Sequence, residues 1–250
     1  MTFAPDSPRV AEVLASANRG PRIGGTIDML ILHYTGMATG RGALARLRDP
    51  RAEVSAHYLV FEDGRVVQLV PEAERAWHAG RGAWAGVTDI NSRSIGIEIV
   101  HPGHDGGLPP YPDGQIEAVI ALCRDILGRN PIPAPRVLAH SDVAPDRKED
   151  PGENFPWDRL AAAGIGHWVA PAPIRDGRFF AGGDTGEPVE ALQAMFALYG
   201  YEQPITGRFD EGMRAVVTAF QRHFRPARID GVADSSTITT LRDLIAARPA

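Results

Sequence analysis

The strongest constraint on how this chain can fold is a change in the spacing of its apolar residues. From about residue 25 to 165, strand-like runs alternate with helical periodicity; from residue 187 onward only helical periodicity remains. "TIDMLILHY" is a buried apolar run ending at His33, "SRSIGIEIVH" is a second strand, and "RVLAH" is a short one that ends at His140. "SAHYLVFEDGRVVQLV" reads as two strands around a turn at Asp63-Gly64. "DGQIEAVIALCRDILGRN" places Ile116, Val119, Ile120, Cys123, Ile126 and Leu127 on one face of a helix, so Cys123 is expected in the core. Strands interleaved with helices predict an α/β domain on a central sheet.

Three regions follow: residues 1–165 as the α/β domain, 166–186 as a linker, and 187–250 as a helical domain. The linker is rich in Gly and Pro and has no periodicity. "PVEALQAMFALYGY", "DEGMRAVVTAFQRHF" and "DSSTITTLRDLIA" predict three short helices, the last with an Asp/Ser cap.

Composition excludes several functions. A net charge of −5 argues against nucleic acid or an anionic membrane as the main partner. No run of ~18 apolar residues is present to span a bilayer. The N-terminus "MTFAPDSPRVAEVL" has no basic stretch before an apolar one, which favours the cytoplasm over the periplasmic alternative. Cys123 is the only cysteine, which rules out internal disulfides and four-cysteine zinc sites. A monomer is expected.

Two groups of residues point to chemistry. Lys148 is the only lysine beside 25 arginines, in "AHSDVAPDRKEDPG" with His140, Asp142, Asp146, Glu149 and Asp150. A compact ammonium retained in so arginine-biased a chain suggests a task that a planar fork cannot perform. Of the eight histidines, His33 and His140 each close a predicted buried strand, where α/β sites are usually assembled. Asp150 lies ten residues past the second. Two imidazoles and a carboxylate form a common catalytic zinc shell that leaves the fourth position open. Only the fold can bring such distant donors together.

The blocks "LILHYT", "SAHYLV", "VVQLVPEAERAWHAG", "NSRSIGIEI" and "AHSDVAPDRKEDPGENFPW" occur in an order that resembles the zinc-dependent N-acetylmuramoyl-L-alanine amidases of the AmpD/AmiD type. That fold, shared with peptidoglycan recognition proteins, has a central mixed β-sheet flanked by helices. The resemblance covers about residues 25 to 160 and implies that His33, His140 and Asp150 hold one zinc ion. It further implies Glu98 as general base and Lys148 as the cation that meets the developing oxyanion. Tyr34, Trp77, His78 and Asn91 fall where the family contacts a peptidoglycan or muropeptide substrate, although Trp77 reads equally well as a packing residue. His57 reads as a supporting histidine. Family members often carry a basic residue two positions before the Asn; here that position is Asp89, so either Arg93 or Arg81 replaces it or a different stem peptide is accepted. Two other readings stay open: a non-catalytic recognition protein, which usually lacks a zinc ligand, and a zinc peptidase acting within the stem peptide.

The tail features "ALQ", "GRFD", "AFQ" and "DGVADSST" resemble the three-helix peptidoglycan-binding domain appended to many cell-wall hydrolases. Seven Arg against eight Asp plus Glu leave it nearly neutral, so it is no nucleic-acid module.

Overall fold

The computed structural model of the protein describes residues 3–177 and 179–248. Residues 1–2, 178 and 249–250, expected in the α/β domain, the linker and the helical domain respectively, lie outside the described residues.

A six-stranded sheet runs in the order β1 (Glu12–Val13), β5 (Val66–Gln68), β4 (Tyr58–Val60), β7 (Ser94–Ile99), β3 (Met29–Tyr34), β8 (Val137–Ala139). The strands β4, β7, β3 and β8 are parallel to their neighbours, while β4 and β5 form an antiparallel hairpin, so the sheet is mixed. The hairpin turns at Gly64, whose φ of +83° is a conformation that favours glycine. A small second sheet pairs β2 (Arg19–Pro21) with β6 (Glu74–Ala76).

Side chains alternate across the sheet. Leu30, Leu32, Ile95, Ile97 and Ile99 face one core, which is covered by Ile116, Val119, Cys123 and Ile126 of α3 (Asp113–Arg129). The intervening Met29 and Ile31, with Leu138 of β8, face the other core. That second core is completed by Val189 and Phe196 of α6 (Glu187–Tyr199), Phe220 of α7 (Glu211–Phe224) and Leu244 of α8 (Ser235–Ala246). The tail helices therefore cover a face of the sheet. Asp210 and Asp234 cap α7 and α8, accepting from the backbone N–H groups of Met213 and Thr237.

The expected linker has no helix among its described residues, yet it is tied down. Ala172 N–H donates to Thr240 Oγ1 at 3.0 Å, Phe180 pairs with Ala233, and Trp168 and Val169 pack on the second core. At the join, Trp84 of the α/β domain lies against the end of α6. A Cβ on Gly200 would come within 2.5 Å of its indole, so only glycine permits this approach. No helix of the described residues is long and apolar enough to cross a membrane.

Four short helices complete this half of the chain: α1 (Gly40–Arg48), α2 (Ile90–Arg93), α4 (His140–Val143) and α5 (Trp157–Ala162). Sequence periodicity did not predict α1. Its buried residues are only Gly40, Ala43 and Leu47, too small a stripe to stand out.

Candidate metal centre

Parallel pairing sets the site. In the β3–β7 register His33 stands beside Glu98, and Leu32 stands beside Ala139, so His140 begins α4 one residue beyond β8. All three lie at the C-terminal ends of neighbouring strands, on the face opposite α3. Asp150 arrives from the loop after α4, and its backbone carbonyl accepts from Ser141 N–H at 3.1 Å.

His33 Nδ1, His140 Nδ1 and Asp150 Oδ2 meet in a triangle with sides of 2.9, 2.9 and 3.0 Å, and all three residues are buried. The contacts of the other ring nitrogens decide what this triangle is. His140 Nε2 lies 3.0 Å from the carbonyl of Ala79, which can only accept, so its proton is on Nε2. For His33 the proton is fixed through three groups. Ser94 Oγ donates to Ile90 O at 2.7 Å, and therefore accepts from His78 Nε2 at 3.1 Å. His78 Nδ1 is then a lone pair, which accepts from His33 Nε2 at 3.0 Å. Both Nδ1 atoms consequently point lone pairs at each other and at a carboxylate oxygen. No proton remains to hold the triangle together, and three electron-rich atoms this close repel unless a cation sits among them.

A divalent metal fits this niche. Tetrahedral zinc with nitrogen and oxygen ligands at about 2.0–2.1 Å would place donors about 3.3 Å apart, a few tenths wider than the triangle. Among the described residues this trio is the one cluster of His, Cys, Asp or Glu able to hold a metal ion. Burial, followed by the neighbouring His140, lowers the pKa of His33 to about 4 and keeps its imidazole neutral, as a ligand must be.

Glu98 and Lys148 line the same cleft of about 310 Å³, with Tyr34, Trp77, His78, His140 and Asp150. Burial, then the charge of Asp150, raises the Glu98 carboxyl well above its ordinary value, while Lys148 opposes the shift. Its Oε2 is buried without a hydrogen-bond partner. Burial and Asp150 also push the Tyr34 hydroxyl up to about 12.

His78 has a second reason to be where it is. A Cβ at Gly96 would come within 2.5 Å of its ring, so the glycine in "SIGIE" leaves the space the imidazole fills. Asn91 does not line the cleft. Its Oδ1 accepts from the backbone N–H groups of His78 and Ala79 at 3.1 and 2.8 Å, holding the turn that bears the Ala79 carbonyl. His57 is a supporting residue: Nδ1 accepts from Gly96 N–H at 3.0 Å and Nε2 donates to Glu74 O at 3.1 Å.

Asp89 caps α2, accepting from Ser92 N–H at 3.2 Å, and pairs with Arg75. Neither arginine expected to replace the missing basic residue reaches the cleft, because Arg93 pairs with Asp28 and Arg81 with Asp146. Arg46, in the last turn of α1, lines the cleft instead. It was missed because α1 was missed.

The family model described as "N-acetylmuramoyl-L-alanine amidase" matches residues 23–153, and one described as "Putative peptidoglycan binding domain" matches residues 185–241. N-acetylmuramoyl-L-alanine amidase AmiD of Escherichia coli K12 is 41% identical over 227 residues, covering 84% of this chain and 79% of that protein. The 1,6-anhydro-N-acetylmuramyl-L-alanine amidase AmpD of Enterobacter cloacae is 45% identical over 109 residues, covering 44% of this chain and 56% of that protein. The fold matches the structure of E. coli AmiD with its substrate anhydro-N-acetylmuramic acid-L-Ala-D-gamma-Glu-L-Lys. That match has a TM-score of 0.74 at 39% identity and covers 91% of this chain and 90% of that one. The chain belongs to the N-acetylmuramoyl-L-alanine amidase family.

Proposed function

We propose that this chain is a zinc hydrolase that cuts the amide between the lactyl group of N-acetylmuramic acid and L-alanine in muropeptides. The observation that carries the reading is the set of three converging lone pairs on His33, His140 and Asp150, in one cleft with Glu98 and Lys148. A recognition protein has no need of a general base and a cation beside its ligands. When bound, zinc supplies Lewis acidity, polarising the scissile carbonyl and acidifying water.

The chain's own groups do the rest. Glu98 takes the proton of the attacking water and returns it to the departing amine nitrogen, a task suited to a carboxyl with a raised pKa. The ammonium of Lys148 stands against the charge that develops on the carbonyl oxygen. The ring of Trp77 forms part of the cleft wall, and Tyr34 forms another part. Arg46 offers a cation to the α-carboxylate that a γ-linked glutamate leaves free.

Zinc analysis with product identification tests this. About one zinc per chain is expected in both the parent and Glu98→Gln, with turnover of the variant reduced ~10²–10⁴-fold. Mass spectrometry of digested anhydro-muropeptide should find the free lactyl sugar and the intact peptide. Cleavage between amino acids would identify a peptidase instead. Loss of zinc from Glu98→Gln would place that carboxylate among the ligands.

A further inference from the structure

The segment from His140 to Asp150 carries two of the three metal donors and Lys148, and the helical domain grips it at two points. At the first, Asp142 is fully buried. Its Oδ1 accepts from Tyr201 OH at 2.7 Å, and its Oδ2 accepts from His223 Nδ1 at 2.6 Å and from Ala139 N–H at 2.8 Å. The last of these closes the N-terminus of α4, whose first residue is His140. Tyr201 follows α6 and His223 lies in the last turn of α7. The His223 ring is itself fixed by stacking on Trp157 at 3.8 Å and on Phe224 at 3.7 Å.

At the second point, Arg222 of α7 donates to Glu149 Oε1 at 2.6 Å. Glu149 stands between Lys148 and Asp150 in the chain. The Arg222 guanidinium also lies 3.6 Å from Glu153, which accepts from His104 Nε2 at 3.0 Å. His104 Nδ1 in turn accepts from the Tyr34 hydroxyl at 2.9 Å, so this chain of contacts ends on the cleft wall.

We propose that the helical domain is a working part of the metal centre, in which Tyr201 and His223 position His140 through Asp142, and Arg222 positions Lys148 and Asp150 through Glu149. A domain that served only to hold the enzyme on its polymer would need a tether. It would not need to place two hydrogen-bond donors on a fully buried carboxylate beside a metal ligand. Without those donors, the start of α4 and the loop after it become free to move, and metal binding must then order them. Loss of such supporting partners typically weakens metal affinity about 10–100-fold.

The inference rests on the metal reading above, and one set of full-length variants separates the two. Zinc affinity is measured by competition with a chromophoric chelator. The kinetic constants kcat and KM are measured on a soluble anhydro-muropeptide, which requires no attachment to polymer. Tyr201→Phe and His223→Gln are expected to weaken zinc binding ~10–100-fold and to lower kcat with KM near the parent value. Arg222→Ala should have a smaller effect of the same kind, partly restored in Arg222→Lys. Leu241→Ala, on the buried face of α8, makes none of these hydrogen bonds; it should lower Tm and leave zinc affinity unchanged while the protein is folded. Zinc binding as tight as the parent's in Tyr201→Phe and His223→Gln would overturn the inference, as would an equal loss in Leu241→Ala. A parent that binds no zinc would sink the metal reading and this inference together.

Discussion

Asp142 and Asp150 are buried carboxylates in one short segment, with opposite surroundings. Asp142 is met by three donors, Tyr201 OH, His223 Nδ1–H and Ala139 N–H, so its charge is balanced by protein alone. Asp150 Oδ2 is met by two imidazole lone pairs and receives no proton from either ring. The distances are nearly the same in both niches. The direction in which the protons point differs, and that direction separates a structural network from a niche that could hold a metal ion. It is read from the far side of each ring, at Ala79 O, Ser94 Oγ and Ile90 O.

The largest expected effects come from exchanging each carboxylate for an amide. Asp150→Asn should abolish zinc binding and drop activity to background. The metal-free protein should keep or gain stability, because one charge leaves a repulsive cluster. Asp142→Asn should do the reverse to the metal-free fold, turning an amide N–H₂ toward groups that already donate. Breaking such a buried pairing costs about 3–5 kcal/mol, readable as a fall in Tm or in the denaturant midpoint. Equal stability changes in the two variants would erase the distinction.

Lys148→Arg sharpens the comparison on the catalytic side. The guanidinium is longer and planar, and would crowd Asp150 rather than meet a single oxygen head-on. Loss of one preorganised donor costs about 2.7–4 kcal/mol in the barrier, so turnover should fall at least ~10²-fold with zinc content and Tm near the parent values. An Arg variant within a few-fold of the parent would return this lysine to an ordinary surface charge.

The smallest effect per residue, followed down to about pH 5, is acid sensitivity. Burial, then the charge of Arg22, lowers the pKa of His57 from 6.5 to about 3. Burial and the neighbouring histidines also hold His78 well below its ordinary value. The unfolded chain therefore binds protons below pH 6.5 that the folded chain refuses. Stability is fully present above pH 6.5 and falls toward pH 3, by about 1.4 kcal/mol per pH unit for each such histidine. Denaturant midpoints of the metal-free protein between pH 7.5 and about 5 check this. His57→Gln should flatten the slope by its share.

Much of the candidate site was legible because metal and acid–base chemistry draws on few residue types, and several of them stand at strand ends. His33, Glu98, His140, Lys148 and Asp150 could be named from their blocks; parallel pairing of β3, β7 and β8 sets the first three side by side, and the loop after α4 carries Lys148 and Asp150 to them. Asn91 was legible as a residue of interest, but its task is to hold the 78–79 turn, which depends on a hydrogen bond that no linear pattern encodes. Arg46 was hidden because α1 buries too little apolar surface to show a stripe.

The tail shows where the sequence stops. Amphipathic spacing declares that α6, α7 and α8 each bury a face, and Asp210 and Asp234 mark where two of them begin. Periodicity specifies that a face is buried, never what buries it, because apolar burial is non-directional. The sequence alone suggested three helices packing on one another at the end of a linker. Tertiary structure instead set them against Met29, Ile31 and Leu138, on the same face of the sheet that bears His33, and brought Tyr201 and His223 to Asp142.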